Sequence, residues 1–462
     1  MKKKFLSVFL SLVMIITVLS KKGLDVNADG EEVIIDSIIY NLNENANEAT
    51  VKGVSGVLPE NVTILPEIVK DDIKFKVTEI SENAFVKRKD LKEINIPDSV
   101  NEIGKAAFAC SGVETVTISK SVTTIKECTF ICCQNLKNII IPTGLVNIGQ
   151  HAFDRCEKLE NIEIPDSVTT IERSAFIRSN LTNLVIPEGV REISQGICYD
   201  CQNLKSVKLS NSATVIGNHA FCGCKELENI EIPHSVTKIG LAAFKNCENL
   251  EMIKIPNQVK TIEKFTFEGC NLLKFAKMPN GITEIKDRAF CGCKELYDME
   301  LPKDLTVIGR NAFEGCENFQ KMVIPSGVVK IEDAVFKNCK RLSCLIIPDG
   351  VEVIENEAFS GCNLLFVCIP DSVTAMGVAA FKNCENLKRI KISDQVKTIE
   401  KSTFEGCKSL SDVEIQDGIT MIKSKAFSGC EKLKDITIPS SVTTIEKGAF
   451  DLNNVTIHIK RA

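Results

Sequence analysis

Phenylalanine recurs along this chain at a nearly fixed interval. Successive copies lie 22 or 23 residues apart, and the one wider interval, of 45 residues, carries Cys198 at its middle in the place of a Phe. A period kept over so many copies is typical of a solenoid, in which each repeat forms one coil that stacks on the next. The series therefore predicts a single array of about 17 rungs, although 462 residues would otherwise suggest two or three globular domains. Its members are Phe85, Phe108, Phe130, Phe153, Phe176, Cys198, Phe221, Phe244, Phe267, Phe290, Phe313, Phe336, Phe359, Phe381, Phe404, Phe427 and Phe450.

Each repeat contains three kinds of segment. In one copy, residues 162–165 read Ile-Glu-Ile-Pro, the alternation of a short strand with one buried face, ended by a Pro that has no N–H for a sheet. Residues 168–171, Val-Thr-Thr-Ile, alternate in the same way and predict a second short strand. Residues 175–181 have the apolar spacing of one helical turn. We therefore expect two short strands and a helical turn in each rung, with the apolar side chains stacked in buried columns.

The full repeat pattern is Leu-x-x-Ile-x-Ile-Pro-x-Ser-Val-Thr-x-Ile-Gly/Glu-x-x-Ala-Phe-x-x-Cys. It resembles the BspA-like, Treponema-type leucine-rich repeat of bacterial surface and secreted proteins. The resemblance implies a leucine-rich-repeat solenoid over residues 81–462 that is curved, right-handed and β-rich. It also implies a β-rich N-terminal cap over residues 29–80, in which a strand at 38–40 pairs with one at 49–51.

The first residues of the chain predict export. Three Lys residues precede an apolar run over residues 5–19, and Val-Asn-Ala at 26–28 offers a cleavage site, so residues 1–28 have the form of a signal peptide. An uncleaved membrane anchor is the alternative, although about 15 apolar residues fall short of the roughly 20 that span a bilayer. We expect a secreted or cell-surface protein. The net charge of −5 and the lack of a basic block argue against a nucleic-acid partner.

Most of the 21 Cys residues share one slot, three residues after the Phe. A ladder of small buried thiols is the first interpretation of this slot. Disulfides are the second, between neighbouring rungs or in extra pairs such as Cys132/Cys133 and Cys291/Cys293. Zinc at Cys222-x-Cys224 is the third, and it is weaker because the four His residues do not cluster with these Cys. No metal or other cofactor is expected.

The sequence contains no catalytic constellation that we recognise. A nucleophile requires a neighbouring base and a group that orients the base. His151 and His219 both lie two residues before a Phe, where other rungs carry Ala, Ser or Asn, so they are interpreted as surface variants of the repeat. His234 follows a strand Pro in a slot usually held by Asp or Asn. The chain is therefore not expected to be an enzyme.

The outward positions of the first strand predict a binding face. These positions become apolar in the later rungs, and exposed apolar surface beside charged residues is typical of protein contacts. The resemblance implies adhesion, with the concave face of the array binding proteins of a host or a neighbouring cell. Neutral drift and self-association are the alternatives for this face. The alternatives for the whole protein are an envelope scaffold with no specific ligand and a glycan-binding module, which three Tyr and no Trp make less favourable. The predicted anchors and rim residues are Phe275, Val323, Ile346, Phe366, Arg389 and Lys391.

Overall fold

The computed structural model describes residues 31–297, 299–451 and 455–460. The predicted signal peptide at residues 1–28 lies outside these ranges. The first described strands form a sheet in the order β1 (Glu31–Ile35), β2 (Ile38–Asn43), β3 (Glu48–Val54), β6 (Ile73–Ile80) and β5 (Glu67–Lys70). Buried and exposed residues alternate along these strands. One further N-terminal strand, β4 (Asn61–Thr63), lies outside this sheet.

This N-terminal sheet is joined to the repeat array by hydrogen-bonded strands. Within the sheet, β2 and β3 are antiparallel with Tyr40 opposite Val51, as the sequence predicted. Strand β6 then pairs in parallel with Glu102–Ile103, and β4 pairs in parallel with Glu93–Asn95. The N-terminal segment therefore continues both strand ladders of the array and covers its first turn. The prediction that this segment is β-rich is confirmed.

Two short strands recur in the array. The first strand of a turn, usually three residues long, pairs in parallel with first strands of neighbouring turns. First strands are Glu93–Asn95, Thr115–Thr117, Asn138–Ile140, Asn183–Val185, Ser206–Lys208, Asn229–Ile230, Met252–Lys254, Phe275–Lys277, Lys321–Val323, Cys344–Ile346, Phe366–Cys368, Arg389–Ile392, Asp412–Ile415, Asp435–Ile438 and Thr456–Ile459.

The second strand of a turn is two residues long and forms its own parallel ladders. It ends in a buried aliphatic residue in nearly every turn. Second strands are Glu102–Ile103, Thr124–Ile125, Asn147–Ile148, Thr170–Ile171, Glu192–Ile193, Val215–Ile216, Lys238–Ile239, Thr261–Ile262, Glu284–Ile285, Val307–Ile308, Lys330–Ile331, Val353–Ile354, Ala375–Met376, Thr398–Ile399, Met421–Ile422 and Thr444–Ile445.

The Phe side chains form a buried column that confirms the solenoid. Rings of successive turns stack with centroids 5.0–5.8 Å apart and planes within 20° of parallel. The column is interrupted at Cys198, which is buried in the place of a ring. The array makes about 16 turns, since 17 slots along the chain enclose 16 intervals.

The predicted helical turn is wrong: the described residues contain no helix. The residue two before each Phe and, up to Phe427, the residue two after it adopt left-handed backbone angles, as His151 (φ 53°) and Arg155 (φ 56°) illustrate. Between these two residues, the backbone forms hydrogen bonds to the next turn. The N–H of Phe153, for example, donates to the carbonyl of Ala175 at 2.8 Å. The segment is therefore a set of tight turns that adds a third ladder between coils, which a helix with internal i to i−4 bonds could not provide.

The Cys slot forms a second buried column with its own hydrogen bonds. Each of the thirteen thiols donates to the carbonyl oxygen of the Phe-slot residue one turn earlier, over 2.9–3.3 Å. Burial raises the pKa of Cys133 to about 12, so this thiol keeps the proton that it donates. All 21 cysteines are free thiols in the structure. The members of the column are Cys133, Cys156, Cys201, Cys224, Cys247, Cys270, Cys293, Cys316, Cys339, Cys362, Cys384, Cys407 and Cys430.

Candidate binding face

Most of the described first strands present one inward side chain between two outward ones. In Phe366–Cys368, for example, Phe366 and Cys368 are exposed while Val367 is buried. Because side chains alternate along a strand, the first and third positions of successive turns line one continuous surface. We call the surface made by these outward positions the first-strand face.

Three of the four predicted anchors are well exposed on this face. Phe366 exposes 61% of its surface, Ile346 47% and Val323 46%. Phe275 is only half-buried, because its ring meets the edge of Tyr297 with centroids 4.8 Å apart and planes at 64°. The contact with Tyr297 was not predicted from the sequence, since Tyr297 lies just before the outward positions of its own turn.

The structure brings the predicted residues together in two groups. Val323 lies opposite Ile346 in one parallel pair of strands. Phe366 lies opposite Arg389 in the next pair, whose third positions are Cys368 and Lys391. Phe275 is separated from Val323 by the turn around residues 299–300, where the chain forms no strand. The predicted surface therefore consists of a compact patch over residues 321–391 and an outlying aromatic pair.

The compact patch contains a hollow of about 600 Å³. Phe366, Arg389 and Lys391 all contribute to its walls, so an apolar anchor and two cationic side chains meet around one concavity. Leu365 adds a partly exposed aliphatic surface that the outward-position rule did not identify. The hollow is lined by Ser343, Cys344, Leu345, Leu365, Phe366, Val367, Cys368, Arg389, Lys391 and Glu414.

A second hollow, of about 700 Å³, lies where the first-strand ladder is interrupted. Val323 of the compact patch and Tyr297 of the aromatic pair both line it, so the hollow connects the two groups. Its walls combine apolar, uncharged polar and charged side chains. They are formed by Tyr297, Met299, Glu300, Leu301, Lys303, Gln320, Lys321, Val323, Pro325 and Ser326.

Arg389, one of the two predicted rim residues, is already paired within the chain. Arg389 Nε lies 3.1 Å from Asp412 Oδ2, and its Nη2 lies 3.6 Å from Glu414 Oε2. All three side chains are largely exposed, so water and salt weaken these pairs. A partner carboxylate that reaches Arg389 therefore competes with weak surface pairs and not with a buried one.

The histidines do not form a nucleophile–base pair in the described residues. His151 Nδ1 lies 3.1 Å from Asp154 Oδ2, in the same turn segment. His219 contacts the ring of Tyr199 edge-on, and partial burial followed by the charge of Lys245 lowers the pKa of His219. Among residues 31–297, 299–451 and 455–460, no group of three or more His, Cys, Asp or Glu could hold a metal ion. Within the same ranges, no helix has the length and apolarity that crossing a bilayer requires.

The chain matches known proteins in both sequence and structure. The family described as "BspA type Leucine rich repeat region (6 copies)" matches residues 66–182, 169–277, 262–388 and 375–460. A leucine-rich repeat protein from Bacteroides ovatus is 28% identical with a TM-score of 0.61, over 93% of this chain and 100% of that one. A leucine rich cell surface protein from Faecalibacterium prausnitzii is also 28% identical, over 94% and 95% of the two chains, with a TM-score of 0.32. No curated protein matches the sequence significantly.

Proposed function

The chain belongs to the BspA-type leucine-rich repeat family, and from that premise we propose that it is a non-enzymatic interaction protein that binds other proteins through its first-strand face. The proposed role is adhesin-like, with proteins of a host or a neighbouring cell as partners. The proposed location is the cell surface or the medium, which the signal-like form of residues 1–28 supports.

The observation that carries this proposal is the compact patch over residues 321–391. Val323, Ile346 and Phe366 are all large, apolar and exposed, and single soluble chains rarely leave such residues adjacent without a partner. Arg389 and Lys391 lie at the edge of the same hollow as Phe366. An aromatic anchor in a hollow with polar residues around it is the usual centre of a protein–protein interface.

Binding of the purified chain to immobilised extracellular-matrix, plasma and cell-surface proteins tests the proposal. The test variant carries V323A, I346A and F366A together, and saturable binding by the parent should fall at least tenfold in this variant.

A matched control is available in earlier turns of the same face. Ile140 and Val185 occupy third positions of first strands and are 60% and 56% exposed. The double variant I140A/V185A removes exposed aliphatic surface of the same face away from the patch and should bind like the parent. Equal loss in the test and control variants would show that the patch has no special role. Absence of saturable binding by the parent would favour the scaffold without a specific ligand.

A glycan ligand is the second candidate, and one observation favours it. Tyr297 is partly exposed at the 700 Å³ hollow, where Glu300 and Gln320 offer hydrogen-bonding groups beside an aromatic ring. Aromatic rings beside polar groups suit sugars, which have both apolar faces and hydroxyls. Screening the parent and Y297A against a glycan array separates the two candidates, because Y297A should lose glycan binding and keep protein binding through the patch at residues 321–391.

A further inference from the structure

One slot of the repeat places unusual residues in consecutive turns. The residue two after each Phe has a left-handed backbone, with φ between 53° and 80° from Lys87 to Gly429. Gly and Asn adopt this conformation most readily, and they fill the slot in ten of these turns. Cys occupies the slot only at positions 110 and 132, where the φ angles are 57° and 56°. The left-handed conformation does not favour Cys, and these are two consecutive turns of the array.

The two cysteines are neighbours across the turn ladder. The N–H of Cys110 donates to the carbonyl of Ile131 at 2.8 Å, and Ile131 directly precedes Cys132. Equivalent residues of hydrogen-bonded parallel segments lie about 4.8 Å apart. That spacing falls within the roughly 4.4–6.8 Å between the Cα atoms of disulfide-bonded cysteines.

Both thiols are also accessible, unlike those of the Cys column. Cys110 and Cys132 are half-buried, whereas the column cysteines are buried and their thiols donate to carbonyl oxygens. Partial burial raises the pKa of Cys132, Arg155 opposes that rise, and Cys110 adds to it through its charge. An electrostatic effect of Cys110 on Cys132 is consistent with adjacent sulfur atoms.

We propose that Cys110 and Cys132 are a modification site, at which a disulfide-class oxidant such as oxidised glutathione joins two consecutive turns through a disulfide bond. One thiolate attacks a sulfur of the oxidant to form a mixed disulfide and releases one glutathione thiol. The second thiolate attacks the mixed disulfide at the protein sulfur and releases the other. The protein loses two electrons and two protons, and the oxidant is reduced to two thiols. This inference does not depend on the proposed binding function.

The test uses the folded, fully reduced chain treated with excess oxidised glutathione. Remaining thiols are then blocked with N-ethylmaleimide, and the digest is analysed by mass spectrometry. We expect a peptide pair linked through Cys110 and Cys132, lighter by two hydrogen atoms and carrying no glutathione. The same treatment in concentrated urea should lower the yield of this pair severalfold, because the folded ladder no longer holds the two residues together.

Single variants distinguish a disulfide between Cys110 and Cys132 from one between Cys128 and Cys132. Cys128 is the alternative partner because its pKa is also affected by the charge of Cys132. C110S should trap Cys132 as a glutathione adduct, and C132S should trap Cys110 in the same way. C128S should leave the linked pair unchanged. The proposal would be overturned if the parent chain gave separate glutathione adducts on Cys110 and Cys132, no reaction at either, or a link from Cys132 to Cys128. These outcomes are read from the parent chain and do not depend on the folding of a variant.

Discussion

The inner and outer positions of the first strands differ in how uniform they are along the array. The middle residue is aliphatic and mostly buried, as at Ile94, Val116 and Leu184, while the outward residues range from Asn183 to Phe366 and Arg389. Each inner residue packs between two neighbouring turns, so every turn imposes nearly the same requirement. Outward residues face solvent, so no such uniform packing requirement applies to them. The outward residues are therefore the ones that can vary to suit a binding partner. They are most apolar at residues 321–391.

The largest difference in stability effect between a buried and an exposed position is expected between Phe290, in the Phe column, and Phe366, on the first-strand face. Phe290 is fully buried, with ring centroids 5.2 Å from Phe267 and 5.4 Å from Phe313. F290A should lower the free energy of unfolding by about 3–5 kcal/mol, because it leaves a cavity in the ring column. F366A should change it by less than about 0.5 kcal/mol while weakening binding. Urea unfolding of both variants gives the comparison, and similar losses in the two would contradict the division into inner and outer residues.

The Cys column is expected to contribute less per residue than the Phe column. The Cys247 thiol is buried and donates to the carbonyl of Phe221 at 3.2 Å. C247A should therefore reduce the free energy of unfolding by about 1–2 kcal/mol, since it removes one hydrogen bond and a small buried volume. C344A is the matched control, because Cys344 is exposed on the first-strand face and should be neutral. A loss at Cys344 as large as that at Cys247 would show that the buried hydrogen bond is unimportant.

Phe275 is half-buried, so its burial is intermediate between that of the inward and the outward residues. Its contact with Tyr297 should contribute about 0.5–1.5 kcal/mol to folding, the usual range for an edge-to-face aromatic pair. F275A and Y297A should each be destabilising, and the double variant should lose less than the sum of the single losses. Strict additivity in this double-mutant cycle would mean that the two rings do not interact in solution.

The smallest effect is expected at Arg389. Its pairs with Asp412 and Glu414 are exposed, so R389A should change the free energy of unfolding by only about 0–1 kcal/mol. Its effect on binding should be measured at two salt concentrations. If Arg389 meets an acidic partner, the difference in affinity between parent and R389A should shrink as salt screens the contact. A salt-independent difference would assign Arg389 an apolar packing role at the interface.

Much of the fold follows from the repeat, and the reason is mechanical. Ile148, for example, pairs with Ile171, the equivalent residue of the next turn. The repeat pattern that predicts each short strand therefore also predicts which residues meet between turns. The helical turn was wrong because apolar spacing alone cannot distinguish a helix from successive left-handed turns. A usable signal was present, since Gly223, Gly269 and Gly292 share the slot two after Phe and all adopt positive φ. Recurrent Gly at one slot indicates a left-handed residue, which a helix interior excludes.

The candidate face was less predictable than the fold. Strand alternation was sufficient to identify Val323, Ile346 and Phe366 as outward and exposed. It could not predict that Tyr297 covers part of Phe275, because this contact depends on a turn that departs from the strand pattern of its neighbours. Strand alternation also did not predict the two hollows, because each hollow is formed by side chains of several turns. Their role in binding remains a prediction.

The three ladders between turns also determine how the array responds to tension. Their hydrogen bonds, such as that from Phe153 to Ala175, run from one turn to the next and therefore lie along the stacking direction. A pull on the two ends of the array puts every junction under the same tension, so the weakest junction should break first and turns should detach one at a time. Each released repeat of 22 or 23 residues adds roughly 75 Å of extended chain. Tension on such an array would therefore be taken up as stepwise lengthening, while the turns that remain stacked keep their side chains in register.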